Sequence, residues 1–225
     1  MKKLISLMVA AMMIIPTTYA FADSGDDIEV VETVLTEADT QTSTQAVLTR
    51  VSNISPMMES VALDVYYTGE GWQSQEDITD AWEAMYQYLN QYGLYSGEFD
   101  FDTDGYYIVP ADRMREFFQN MYGEQYDELP VVSRMYSSVI VYDEDSDAYK
   151  IMPASGEGIY ASLKSVELSF DLSATLTYSI YNEYEDDSEL ELAQVKIAME
   201  SSDVSAYGIK PASTELIAQV AQSED

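Results

Sequence analysis

The sequence DFDTDGYYIVPADRMREFFQNMYG at residues 100–123 contains an acidic turn, a short strand and a helix in immediate succession. In its first part, Asp100, Asp102 and Asp104 alternate with other residues ahead of Gly105, a pattern that favours a sharp turn. In its second part, apolar residues recur every three or four positions, as on one face of a helix. A strand that passes through Ile108 directly into an amphipathic helix predicts a domain whose helices pack on a sheet.

The acidic turn has two interpretations. Asp100, Asp102 and Asp104 followed by glycine match the start of a calcium-binding loop, in which alternate carboxylates converge on the ion. The twelfth position of such a loop should be an acid, but it is Ala111, and Pro110 stands where the exit helix should begin. A helix-loop-helix calcium site is therefore disfavoured. A hairpin turn, and a calcium ion held by these three aspartates within a hairpin loop, both remain open, and no other cofactor is predicted.

The first residues resemble a secretory signal peptide. Lys2 and Lys3 precede an apolar run at residues 4–15, and Ala20 and Ala22 form a small-x-small cleavage site. The apolar run is shorter than the roughly 20 residues that span a bilayer. We therefore expect residues 1–22 to be removed, and the mature chain to be secreted, extracellular or associated with the cell wall, without membrane insertion.

The charge of the chain limits its partners. It has 41 acidic residues and 10 basic ones, for a net charge of −31. The expected signal peptide contains two of the basic residues and none of the acids, so the mature chain carries −33. Such a field opposes binding to nucleic acid and to anionic lipid. The sequence favours an extracellular protein, peptide or glycan as partner, although acidity also keeps an exported protein soluble.

Two absent residue types exclude several mechanisms. The sequence contains no histidine and no cysteine. It therefore cannot form a Ser-His-Asp triad, a cysteine nucleophile, a disulfide or a zinc site with His or Cys ligands. Acid–base chemistry by carboxylates, tyrosine chemistry and metals bound by oxygen atoms remain. No catalytic residue is singled out.

The first half of the chain contains the predicted helices. Residues 23–55 are rich in Asp, Glu, Thr and Gln and are predicted to be a linker or a poorly ordered arm. Residues 61–67, VALDVYY, alternate as a strand does. Apolar residues at helical spacing predict helices over residues 76–92 and 112–122.

Two arginines lie close together on the second of these helices. Arg113 and Arg115 have the spacing to orient an anionic ligand. With so many acids in the chain, the alternative that they pair with neighbouring carboxylates is favoured.

The second half alternates with a period of two and predicts an antiparallel meander. Its first hairpin turns at the acidic residues 143–147. The later strands are predicted over residues 160–170, 175–184, 190–199 and 206–210. Residues 56–212 thus form a single predicted domain, and residues 213–225 form a C-terminal tail in which a loose helix or a frayed end are both open.

The sequence GYYIVPADRMREFFQNMYGEQYDELP at residues 105–130 resembles uncharacterised exported proteins of anaerobic Gram-positive bacteria. The order of helices followed by an antiparallel meander is similar to the nuclear-transport-factor-2-like, or cystatin-like, fold. This resemblance implies an α+β fold in which two main helices pack on a curved antiparallel sheet, in a cone-like shape with a cavity. Proteins of that fold include isomerases and many non-enzymatic modules, and no residue role is carried over.

Three functions are compatible with these observations. The favoured hypothesis is a non-catalytic binding module for a protein, peptide or glycan. The first alternative is a small cavity enzyme that uses an Asp or Glu with a Tyr in an apolar pocket. The second alternative is a structural protein stabilised by calcium.

Overall fold

The computed structural model describes residues 29–32, 38–78, 80–123, 126, 128–154, 158–169, 173–182 and 190–219. The expected signal peptide and the start of the predicted arm lie outside these residues. The described residues contain three α-helices and two β-sheets, which confirms the predicted α+β class. Among these residues, no helix combines the length and the apolar character needed to cross a membrane.

The helices are α1 (Ala38–Thr68), α2 (Ala81–Gln91) and α3 (Ala111–Tyr122). The strands, in chain order, are β1 (Glu29–Glu32), β2 (Asp100–Phe101), β3 (Tyr107–Pro110), β4 (Ile140–Asp143), β5 (Ala148–Ile151), β6 (Ile159–Leu168), β7 (Ala174–Asn182), β8 (Leu190–Ser201) and β9 (Ile209–Gln219). Short 3-10 helices, Gln75–Asp77 and Gly93–Ser96, lie on either side of α2.

Helix α1 is the longest element, with 31 residues. Val47, Val51, Ile54 and Met58 recur at helical spacing, and each is at most 5% exposed. Near the end of the helix, every side chain of residues 60–65 is buried. The helix contacts four strands of one sheet, β6 to β9, and also contacts α2 and α3. It is therefore enclosed by other elements rather than laid on a surface.

The prediction of a strand over residues 61–67 was wrong, because these residues form the last two turns of α1. Val61, Leu63 and Val65 alternate with other residues, which gave the appearance of a strand, but Ala62 and Asp64 between them are buried as well. A short helical segment whose side chains are all buried has no polar face, so its pattern of apolar residues cannot be distinguished from that of a strand.

The predicted arm is also corrected. Of residues 23–55, those from Ala38 onward belong to α1. The polar run that ends at Gln45 hides the start of the helix. The signal for a helix comes only from Val47, Leu48, Val51 and Ile54, whose side chains pack in the core.

The larger sheet has the order β1-β6-β7-β8-β9. Strand β1 pairs with β6 in parallel, and the other pairs are antiparallel, as the predicted meander requires. Strand β9 continues through Gln219, opposite Ala193 of β8. The part of the predicted tail from residue 213 to residue 219 is therefore a strand and not a helix. Its hydrogen bonds to β8 outweigh the helical spacing of its apolar residues.

The smaller sheet has the order β2-β3-β5-β4. The predicted turn between β2 and β3 is confirmed: Gly105 N donates to Asp102 O at 3.3 Å, and Gly105 adopts a φ of 91°, which favours glycine. The predicted hairpin at residues 143–147 is confirmed as the connection between β4 and β5. Its prediction as the first hairpin of the same meander was wrong, because β4 and β5 pair with β3 in the smaller sheet and not with β6 to β9.

Helix α3 confirms the helix predicted over residues 112–122, whereas α2 is shorter than the helix predicted over residues 76–92. The Asp80 carboxylate accepts a hydrogen bond from Trp82 N at 3.0 Å and starts α2 there. The Asp77 carboxylate accepts from Ser74 N at 2.9 Å and closes a separate 3-10 turn before it.

Trp82 joins the helices to the smaller sheet. Its ring centroid lies 4.8 Å from that of Phe118 on α3 and 5.3 Å from that of Tyr149 on β5. Its side chain is only 1% exposed, and its indole N–H donates to Pro130 O at 3.0 Å. This one residue therefore fixes α2, α3, β5 and the segment that precedes β4.

We expect Val51→Asp to destabilise the protein by more than about 3 kcal/mol, because it places an unpaired charge inside the core. Thr49→Asp, at an exposed position of the same helix, should change stability by less than about 0.5 kcal/mol. Urea unfolding followed by circular dichroism measures both. Equal, small effects would contradict the placement of residues 38–55 in a buried helix.

Candidate binding site

The three aspartates considered as calcium ligands form a turn. Asp102 Oδ1 accepts hydrogen bonds from Asp104 N and Tyr106 N, each at 2.9 Å. Asp100 lies on β2, and its side chain is exposed, as is that of Asp104. Among the described residues, no group of three or more acidic side chains is arranged to hold a metal ion. The Asp102 carboxylate therefore stabilises the turn between β2 and β3.

The second acidic turn is partly neutralised by a cation. Lys150 Nζ lies 3.1 Å from Asp143 Oδ2, and this contact lowers the pKa of Asp143. Tyr142 Oη donates a hydrogen bond to Asp147 Oδ1 at 2.7 Å. Asp143 and Asp147 thus hold the hairpin, while Glu144 and Asp145 at its tip are exposed.

The predicted pairing of Arg113 with acids is confirmed. Its guanidinium contacts Glu98 at 2.7 Å and also bonds to Glu116. It also lies 5.1 Å from the ring centroid of Phe117. Arg113 is therefore engaged by its neighbours.

An open groove lies between β4 and the segment that leads into it. Its volume is about 400 Å³, within the range of about 300–1,000 Å³ that is typical of ligand pockets. It is lined by Leu129, Pro130, Val131, Val132, Ser137, Ile140, Val141, Tyr142 and Tyr149. The lining contains one hydroxyl side chain besides the tyrosines and no charged side chain.

Exposed apolar side chains concentrate beside this groove. Val131 is 94% exposed, Met135 73%, and Val141 and Tyr142 44% each. Four large apolar side chains in one short segment exceed the scattered exposure that is normal for a protein surface. These side chains form an exposed apolar patch, and Val131, Val141 and Tyr142 of this patch also line the groove.

The groove has a rigid base. Tyr142 and Tyr149 have ring centroids 5.1 Å apart, and Tyr149 packs in turn against Trp82. The hydrogen bond from Trp82 to Pro130 O fixes the opposite wall. Both walls are therefore held by the same buried tryptophan.

A buried carboxylate lies on α1, in the stretch predicted as a strand. Asp64 is 9% exposed, and within the described residues no ion pair reaches it. Burial raises the pKa of Asp64 to about 7, and repulsion from Glu83 and Asp80 on α2 adds to the shift. The same three acids raise the pKa of Tyr136, after the larger effect of burial. Tyr136 precedes the groove-lining Ser137, so this acidic cluster lies near the groove.

A second carboxylate on α1 is hydrogen-bonded. Glu59 accepts from Tyr92 Oη and from Ser55 Oγ, and Ser55 Oγ lies 3.0 Å from Tyr178 Oη. Desolvation raises the pKa of Glu59 and outweighs these hydrogen bonds. Tyr178 lies on β7 of the larger sheet, and its side chain is fully buried. This network therefore joins α1 to β7 and contributes to packing.

Sequence reasoning did not single out the groove or Asp64. The groove depends on residues 129–137, which have no periodicity, and on the long-range contact with Trp82. For Asp64 a signal existed: it is the one charged residue in the apolar run VALDVYY. The strand interpretation placed it on an outer face and so hid its burial.

Comparison of the chain with models of protein families, with curated proteins and with solved structures gave no match.

We expect Asp64→Asn to change how stability depends on pH. Between the ordinary Asp pKa of 3.8 and about 7, the folded protein retains a proton that the unfolded chain releases. The stability contributed by protonated Asp64 is therefore complete below about pH 4 and is lost as the pH rises to about 7. At pH 8, Asp64→Asn should be more stable than the wild type by roughly 2–4 kcal/mol.

Urea titrations at pH 4.5 and pH 8 measure this difference, with the exposed Asp104→Asn as control. The Asp104 variant should differ little from the wild type at both pH values. If the stability difference between Asp64→Asn and the wild type is the same at both pH values, the burial of this carboxylate is contradicted.

We expect calcium to give no specific stabilisation, because Asp102 is engaged by backbone N–H groups and the described residues contain no group of three acids placed to hold the ion. A ligand that binds the folded state raises Tm. Millimolar calcium should thus shift Tm no more than magnesium does at equal ionic strength. A larger rise with calcium that disappears in Asp102→Asn would support the calcium-binding alternative.

Proposed function

We propose that this chain is an exported binding module that takes apolar side chains of a partner into the groove beside β4. One observation carries the proposal: the open groove has an apolar lining in which Val131, Val141 and Tyr142 are exposed, and the exposed Met135 lies in the same segment. The proposed export rests on the resemblance of residues 1–22 to a signal peptide.

The composition of the groove favours binding over catalysis. Its lining offers no carboxylate, amine or guanidinium for proton transfer. The carboxylates with raised pKa values, Asp64, Glu59 and Glu83, are not among the lining residues. The groove therefore offers an apolar surface for recognition but no carboxylate for acid–base chemistry.

The buried Asp64 supports the enzyme alternative. Its charge contributes to the raised pKa of the buried Tyr122, so a carboxylate and a tyrosine do lie near each other. That alternative also needs a cavity that brings substrate to Asp64, and the groove described above does not include it.

We also propose the cone-like, cystatin-like arrangement as the description of the larger sheet with α1. The contacts of α1 with four consecutive antiparallel strands, β6 to β9, support it. The smaller sheet with α2 and α3 is an addition to that arrangement. A crystal structure whose larger sheet is flat beneath α1 would contradict it.

Nile red, a neutral apolar dye, tests the groove without electrostatic bias. We expect saturable binding to the mature chain, with a rise in fluorescence, because the dye buries its rings against Tyr142 and Tyr149. The double variant Val131→Asp/Val141→Asp should weaken binding at least tenfold, since it places two carboxylates at the groove.

Val204→Asp is the matched control. Val204 is also an exposed apolar residue, at 37%, but lies in the turn between β8 and β9. Equal losses in the double variant and in this control, or no saturable binding by the wild type, would contradict the proposed function.

A further inference from the structure

Strand β4 is an open edge of the smaller sheet. It pairs with β5 on one side, and it ends the strand order β2-β3-β5-β4. Met152 N donates to Val139 O at 2.8 Å, so residues 139 and 152 form a hydrogen-bonded pair of the antiparallel ladder. Because such pairs alternate, the backbone groups of Val141 and Asp143 face β5, whereas those of Tyr142 face outward.

The outward groups form a short row. Ile140 N donates to Tyr136 O at 2.8 Å, within the preceding turn. Ile140 O, Tyr142 N–H and Tyr142 O then follow one another along the edge, beside no other strand of the described sheet. An extended segment placed there can bond to all three.

The edges at β9 and β2 are less suited to a partner. On β9, Thr214 N donates to Trp72 O at 2.7 Å, and Trp72 N donates to Thr214 Oγ1 at 3.0 Å, so the chain itself covers that edge. At the other end of the smaller sheet, β2 has only two residues. Strand β4 combines an open row of backbone groups with an apolar groove beside it.

Charge selects the partner. The hydrogen bond to Asp147 and then desolvation raise the pKa of Tyr142, the charges of Asp147 and Glu144 add to this shift, and Arg115 acts in the opposite direction. The tip residues Glu144 and Asp145 are exposed beside the edge. A second copy of the mature chain also carries −33, so it would meet this acidic surface with like charge. A basic segment meets the complementary charge.

We propose that an extended segment of a partner protein adds to β4 as a fifth strand of the smaller sheet. Its alternate apolar side chains enter the groove, and its lysine or arginine side chains lie beside the acidic hairpin of residues 143–147. This inference rests on the proposed function and adds the class of partner to it.

A library of random twelve-residue peptides, selected on the mature chain, tests the inference. The selected peptides should alternate apolar residues and carry at least one Lys or Arg. A peptide methylated on the backbone nitrogens of one alternate set should bind at least tenfold more weakly, and the same peptide methylated on the other set should bind as before. This comparison uses the wild-type protein, so it does not depend on the folding of a variant.

Tyr142→Pro removes the outward N–H and leaves the N–H groups of the β4–β5 ladder in place. It should weaken peptide binding at least tenfold, and Tyr142→Phe, which retains the backbone donor, should not. Glu144→Gln/Asp145→Asn should weaken binding of the basic peptides several-fold at low salt and little at high salt.

The outcomes distinguish a failure of strand addition from a failure of the proposed function. Strand addition is wrong, and the proposed function stands, if Nile red binds at the groove while the wild type binds both methylated peptides normally and the Tyr142→Pro variant binds the unmethylated peptide normally. If no peptide is selected, or if selected peptides lack basic residues, this inference is wrong. A dimer of the free protein that is disrupted by Tyr142→Pro would identify a second copy as the occupant and would also contradict it.

Discussion

The packing of α1 between the larger sheet and the other two helices organises the remaining elements of the fold. The helix contacts four strands of the larger sheet and also α2 and α3. Its residues 60–65 are all buried, so the apolar area that they remove from water stabilises both layers at once. The cost of this arrangement is concentrated at Asp64, which is enclosed without an ion pair among the described residues.

The groove depends on that packing through α2. Helix α2 packs on α1, and it places Trp82 where its ring meets Phe118 and Tyr149. The indole N–H then holds Pro130, and with it the wall of the groove opposite β4. The binding surface is thus supported by the core, which is how a preformed site reduces the entropy that a partner must lose on binding.

The sequence predicted local features well and long-range ones poorly. The turn at Asp102–Gly105, helix α3 and the antiparallel meander were predictable because turn chemistry and periodicity are local. Helix α1 was not, since full burial removes the polar face that distinguishes a helix from a strand, and a polar start hides its first turns. The strand at residues 213–219 was missed because pairing with β8 decides it. The groove depends on Trp82 reaching Pro130, 48 residues away, which no local pattern encodes.

Amide hydrogen exchange of the free protein measures whether β4 presents an open edge. If it does, the Val141 amide, which faces β5, is strongly protected, whereas the Tyr142 amide, one residue later on the same strand, exchanges close to the rate of an unstructured peptide. Equal protection of the two amides would show that another part of the molecule already covers this edge, so that no partner strand could be added there.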